Sequence, residues 1–379
     1  MKLKVGIVGL GMGRDWAKAF ALHPKCEMVA VCDLAEEKAK TVAKEVGAKK
    51  AFTDYENLLE LDLDIVAVVT PGPLHVKQAV AAMGYGKHVL SAVPTAWTLD
   101  ECEQLIKTVK RTGMKYMLGE SMCYHPAITF VKEMYDAGET GEIFFYQGSY
   151  FHDLGGPDSA HDLYSKEARP NGLHPGKKYT WRYGFPPFNY LEHNSAPIIW
   201  VLGQRMTEVT AYGWGYDPEG FEEKYSARWS APYTNPYTFE AGLFRMEGGA
   251  VAKISICWVL GGQWFETQYF GTKQSYVCAF APWGKDILMK KDFRPFRIPM
   301  IPFDRPNYRE RLDPALRSLA GAEDSAFLVQ EFAESVLNDT TPPIDVYKAV
   351  SFTAPGICAH QSALEHRTIK IPDFGKGAK

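Results

Sequence analysis

Five short runs of aliphatic and β-branched residues, each separated by a helical stretch, constrain this chain more than any other feature. They are Lys4–Leu10, Glu27–Cys32, Ile65–Val69, His88–Ser91 and Lys115–Leu118. Between them, Asp15–Leu22, Ala35–Glu45, a stretch from about Leu74, and Leu99 to Lys110 carry helical patterning. A run that is apolar at every position is buried on both faces of its sheet. Strands of that kind alternating with helices predict a parallel sheet covered on both sides.

The loop after the first run is Gly9-Leu10-Gly11-Met12-Gly13-Arg14. Glycines at such a turn let bare backbone approach a pyrophosphate, and the N–H groups of the next helix face it. The third glycine comes one position early for the usual G-x-G-x-x-G spacing. The second run ends at Asp33. A carboxylate there accepts hydrogen bonds from ribose hydroxyls and repels a 2′-phosphate, which favours NAD over NADP. The same residue also suits the N-cap of the following helix, and the two roles are compatible.

The chain has 379 residues, enough for two domains. Its 50 aromatics are unevenly placed: residues 1–122 hold only Trp16, Phe20, Phe52, Tyr55, Tyr85, Trp97 and Tyr116. Two regions of different construction are expected. A net charge of −3 gives no field to hold nucleic acid or an anionic membrane. No run is long enough to cross a bilayer. The start of the chain reads as a first strand rather than a signal peptide. Seven cysteines with no C-x-x-C pair read as small buried residues in a reducing compartment, so the cytoplasm is expected.

An ordered series of segments resembles the Gfo/Idh/MocA family of sugar-handling oxidoreductases. Val5–Arg14 is the nucleotide loop. Val69-Thr70-Pro71-Gly72-Pro73-Leu74-His75 resembles the family's T-P-N-x-x-H segment, with Gly72 for Asn. Gly86-Lys87-His88-Val89-Leu90 resembles its G-K-H-V-L strand, and Gly138–Phe145 its G-x-x-G-E-I segment. Pro342-Pro343-Ile344-Asp345 resembles the start of its return segment. The resemblance implies an α/β protein: a Rossmann domain over 1–122, then an α+β domain over 123–345 with a large open, mostly antiparallel sheet. Residues 346–379 become a return helix and tail packing toward the first domain. It implies NAD as cofactor and a homodimer or homotetramer. Its cofactor contacts map to Gly9, Gly11, Met12, Gly13, Arg14, Asp33, Thr70, Pro71, His75, Ala92, Val93 and Ser121.

One position departs from the dehydrogenases of that family. Their E-K-P, whose lysine helps take the substrate's hydroxyl proton, is here Ala92-Val93-Pro94. Val93 cannot hold a proton. Counting back from Gly203, His193 falls at the family's catalytic histidine. Tyr190-Leu191-Glu192-His193 and Gly148-Ser149-Tyr150-Phe151-His152-Asp153 resemble segments of the family's NAD-dependent glycoside hydrolases. Thr180-Trp181-Arg182 resembles their W-R substrate contact. Those hydrolases share the valine but precede it with glutamate, where this chain has Ala92.

Each candidate also has a structural reading. His193 fits a general base, since an imidazole exchanges protons near neutral pH, or a helix histidine ahead of the apolar run Ala196–Leu202. Tyr190 fits an acid or base, or core packing. Tyr150, His152 and Arg182 fit substrate contacts; Arg182 equally fits a surface ion pair. His75 fits the nicotinamide end of the cofactor, or a helix start without chemistry. His152-Asp153, His161-Asp162 and His174 match no compact ligand spacing, so no metal is expected. Gly155–Lys178 is long for a connection and reads as a lid or pocket wall. The leading expectation is hydride transfer between nicotinamide and a ring hydroxyl of a sugar, glycoside or cyclic polyol. The alternatives are redox-neutral glycoside hydrolysis on recycled NAD and a non-catalytic NAD-binding sensor.

Overall fold

The computed structural model describes residues 2–152, 185–215, 235–258, 263–279, 286–290, 300–303, 306–319 and 321–375. Asp153, His161, Asp162, His174, Thr180, Trp181, Arg182 and the stretch Gly155–Lys178 lie outside them. The chain forms two compact units. The first lies within residues 1–125, 307–350 and 374–377, the second within 126–306 and 351–373.

In the first unit the strands are β1 (Leu3–Val8), β2 (Cys26–Cys32), β3 (Lys50–Phe52), β4 (Ile65–Val68), β5 (His88–Ser91) and β6 (Tyr116–Leu118). Between them run α1 (Gly13–Leu22), α2 (Glu36–Val46), α3 (Tyr55–Leu59), α4 (His75–Gly84) and α5 (Leu99–Thr112). All strand pairs are parallel, in the order β3-β2-β1-β4-β5-β6. The order reverses between β1 and β4, the crevice where open α/β sheets bind ligands. Every residue of β4 is buried, as an all-apolar run requires. β3 and α3 are too short for the hydrophobic pattern to reveal. Helix α5 opens on a capping box, with Thr98 accepting from the Glu101 N–H and Glu101 accepting from the Thr98 N–H. All seven cysteines are buried and unbridged. Burial pushes the Cys26, Cys32 and Cys358 thiols up to about 12, so none is a ready nucleophile.

The second unit contains α6 (Pro126–Asp136), β7 (Ile143–His152), a 3-10 turn at Pro187–Tyr190, α7 (Glu192–Leu202), β8 (Met206–Trp214), β9 (Phe239–Met246) and β10 (Val251–Cys257). Strands β11 (Gln263–Gly271), β12 (Gln274–Ala279), β13 (Asp286–Lys290) and β14 (Met300–Phe303) follow. Next in the chain come α8 (Glu323–Leu337), which groups with the first unit, then α9 (Val346–Glu365) and β15 (Ile369–Lys370). Nine strands pair as β14-β13-β12-β11-β7-β10-β9-β8-β15. Only β7 and β10 run parallel; the other pairs are antiparallel. This is the expected large, mostly antiparallel sheet.

Two segments group differently from the sequence boundaries. Residues 307–345, read with the second domain, cluster with the first unit, where α8 buries Val329 and Phe332 and packs on α1. The tail after α9, read as returning to the first domain, first adds β15 to the β8 edge of the second sheet, and residues 374–377 then group with the first unit. Two-residue strands carry too little pattern to be seen in a sequence.

Candidate active site

In the first unit, the residues picked out by motif all follow the carboxyl ends of parallel strands. Gly9 follows β1, Asp33 follows β2, Thr70 and Pro71 follow β4, Ala92 and Val93 follow β5, and Ser121 follows β6. Gly9 has φ +88°, and a Cβ there would stand 2.4 Å from the Val69 carbonyl oxygen. A Cβ on Gly13 would approach the Val69 Cβ to 3.1 Å. The loop must therefore be bare backbone, which leaves N–H groups at the start of α1 facing the crevice. Met12 lies at its exposed tip, next to Gly11. Arg14 forks onto the Glu45 carboxylate of α2.

Asp33 does two jobs at once. Its carboxylate accepts the Leu10 N–H at 2.8 Å and the Ala35 N–H at 3.0 Å, with Lys38 Nζ at 3.4 Å. It thus ties the glycine loop to the end of β2 and still has carboxylate lone pairs to offer. Bare loop, helix N-terminus and acid together fit a dinucleotide with a free 2′-hydroxyl.

His75 is fully buried, with Nδ1 2.8 Å from the Pro94 carbonyl oxygen and Nε2 2.6 Å from that of Thr70. The ring bridges the loops that leave β4 and β5. Burial lowers its pKa, while the carbonyls of Pro94, Thr70 and Ala92 act in the opposite direction. Gly72, the departure from the family's Asn, is explained by packing: a Cβ there would meet Trp97 at 2.8 Å and Pro94 at 3.0 Å.

In the second unit, Tyr150, Tyr190 and His193 come together. The His193 ring lies 5.2 Å from Tyr150 and 5.0 Å, edge-on, from Tyr190. Tyr150 and Tyr190 are 6.1 Å apart, and His152 is 5.7 Å from Tyr150. The placement follows from two periods. On β7, Gly148, Tyr150 and His152 share a face by alternation. On α7, His193 stands in the first turn, just after the 3-10 turn that carries Tyr190. Gly148 lets α7 approach, since a Cβ there would stand 2.6 Å from the Asn194 side-chain oxygen.

Three further rings complete the cluster and escaped the sequence reading. Phe265 on β11 is 4.8 Å from Tyr150, opposite it in register. Trp258, just past β10, is 6.0 Å from Tyr150 and 5.9 Å from Tyr190, and Phe185 is 5.0 Å from Trp258. Only the strand register brings these distant segments together; no local spacing signals it. Aromatic faces beside an imidazole suit a ring that is apolar on its C–H faces and polar at its rim.

The strand order, the bare glycine loop and the acid after β2 define a dinucleotide-binding Rossmann unit, here joined in one chain to a mixed-sheet unit. Residues 3–120 match the oxidoreductase family with an NAD-binding Rossmann fold, Gfo/Idh/MocA, and carry that family's cofactor fold. Among curated relatives, a glycosyl hydrolase family 109 protein of Streptomyces filamentosus is 39% identical over 163 residues, 40% of this chain and 33% of its own. An alpha-N-acetylgalactosaminidase of Bacteroides fragilis is 29% identical over 225 residues, 55% of this chain and 51% of its own. The matched stretch thus spans a third to a half of these relatives. A solved levoglucosan dehydrogenase, in complex with NADH and levoglucosan, superposes with a TM-score of 0.80 at 18% identity, covering 99% of this chain and 100% of its own. The expected fold, Rossmann unit and open sheet, is thereby confirmed.

Proposed function

We propose that this chain is an NAD-dependent oxidoreductase that oxidises a ring hydroxyl of a sugar, glycoside or cyclic polyol. The observation that carries the reading is the His193 imidazole set against Tyr150 and Tyr190 in an aromatic cluster. Bound NAD supplies a hydride acceptor. It is held by Gly9, Gly11, Met12, Gly13, Arg14, Asp33, Thr70, Pro71, Ala92, Val93 and Ser121, with His75 fixing the loops of Thr70 and Pro94. His193 takes the hydroxyl proton, the task that Val93 cannot perform, and Tyr190 relays it. Tyr150, His152 and Arg182 orient the sugar. The first unit, residues 1–125 with 307–350, serves the cofactor, and the second, residues 126–306 with 351–373, serves the substrate.

Similarity to glycosyl hydrolase family 109 and the valine at position 93 favour a second reading on the same residues. The ring ketone acidifies the neighbouring C–H. A base removes that proton, the glycosidic group leaves, water adds and the ketone is reduced again. The net reaction is then hydrolysis.

Self-association as a homodimer or homotetramer through the open sheet face is part of the proposal. Tyr212, Trp214, Leu243 and Trp264 stand more than half exposed on the second sheet. A reducing cytosol suits the unbridged cysteines.

Incubation with aryl glycosides and free sugars, with NADH absorbance and aglycone release read together, tests the readings. Stoichiometric NADH supports net oxidation. Aglycone without net NADH supports hydrolysis. Silence in both, with NAD bound, leaves the sensor.

A further inference from the structure

We propose that Glu240 and His360 are positioning residues for the segment that carries Tyr190 and His193. The inference rests on reading His193 as the proton acceptor. Glu240, on β9, is completely buried. A buried carboxylate is stable only with donors around it. One oxygen of Glu240 takes His360 Nδ1 at 2.7 Å, and the other takes the Phe188 N–H at 2.8 Å. Phe188 lies in the 3-10 turn that ends on Tyr190 and leads into α7. Glu240 therefore joins β9, α9 and the backbone of the turn that presents Tyr190.

The same face of α9 holds the segment at other points. Thr353, Gly356 and His360 recur at three- and four-residue spacing, which places them on one helix face. The Thr353 hydroxyl donates to the buried Glu192 carboxylate, next to His193. Gly356 lies against the Phe188 carbonyl, where a Cβ would stand 2.1 Å from the oxygen. The Ser195 hydroxyl donates to the Phe352 carbonyl at 2.6 Å. Tyr237 packs edge-on to His360 at 6.3 Å and anchors its own hydroxyl on the Ala363 carbonyl. Contacts thus fall on both sides of His193. A carboxylate committed to one backbone N–H of this turn sets the turn's orientation.

The test compares His360→Ala, His360→Asn and Glu240→Gln with wild type and with His193→Ala. Asparagine places a donor near the Nδ1 position; alanine does not. The readouts are kcat and KM on the substrate found by the turnover panel, NADH affinity by fluorescence, and the His193 ring C–H resonance by NMR. The rings of Tyr150 and Tyr190 set that resonance through their ring currents. His360→Ala and Glu240→Gln should lower kcat by about 10–100-fold, with KM and NADH affinity little changed and the His193 resonance displaced. His360→Asn should recover most of the activity and the resonance. Folded variants with wild-type kcat and resonance overturn the proposal. So does an asparagine variant as impaired as alanine, or unfolding of both His360→Ala and Glu240→Gln, which would make the pair core support. Retained turnover in His193→Ala removes the general-base reading instead, while displacement of the His193 resonance still tests the pair.

Discussion

The two sheets build their sites from different materials. The parallel sheet works at its carboxyl edge, with backbone: Gly9, the N-terminus of α1 and loop carbonyls gripped by His75. The mixed sheet works on one face, with side chains drawn from β7, β11, the end of β10 and α7. A backbone site needs residues that are close in sequence, because strand, loop and helix follow one another. A side-chain site needs only register, so its members lie far apart along the chain. On the proposed function, the first holds a cofactor shared by many reactions, and the second sets which substrate reacts.

If that division holds, chemistry and cofactor affinity separate on mutation. His193→Ala should lower kcat by about 10²-fold or more, the scale of a lost general base, and leave NADH affinity unchanged in a fluorescence titration. Near wild-type turnover would remove His193 from the mechanism. Weakened NADH binding would break the comparison itself.

The converse change lies in the glycine loop. Gly9→Ala puts a side chain at φ +88°, with its Cβ 2.4 Å from a carbonyl oxygen that cannot move without disturbing β4. Left-handed backbone alone costs a non-glycine residue roughly 1–2 kcal/mol. Where the folded loop yields, NADH affinity should fall about tenfold or more. kcat at saturating NAD should change less. Asp33→Ala should act more gently and in a diagnostic direction. NAD binds more weakly and NADP gains ground, because the repelling carboxylate is gone. Equal losses for the two cofactors would show that Asp33 matters only as the tie between Leu10 and Ala35.

The same contrast explains what was legible in the sequence. The parallel sheet announced itself because β1, β2, β4, β5 and β6 are mostly apolar runs, unbroken in β4, and its site residues sit within a few positions of their ends. Tyr150, Tyr190 and His193 were reachable because each lies in a short segment that resembles one of a known family. Trp258, Phe265, Glu240 and His360 were not, since only the pairing of β7 with β10 and β11, and the docking of α9, gives them neighbours. The domain boundaries blurred for a related reason. Helix α8 looks like any amphipathic helix, and nothing in 307–345 says which core it covers.

That ambiguity yields the smallest predicted effect. Asp324, in the first turn of α8, has its pKa raised to about 6 by burial, with Glu323 and Glu120 adding to the shift. An unfolded aspartate titrates near 3.9. Between those values the folded chain binds more protons than the unfolded one, so this group's contribution to stability falls as pH rises. By pH 7 the whole cost of the buried charge is present. Asp324→Asn removes it, and should raise Tm at pH 7 by about 1–3 °C on the scale of a domain this size. The gain should shrink below pH 6 and vanish below about 4. A carboxylate in a first helical turn is itself favourable toward the helix dipole, which works against the gain. A lower Tm at pH 7 would mean that the dipole outweighs burial at the start of α8.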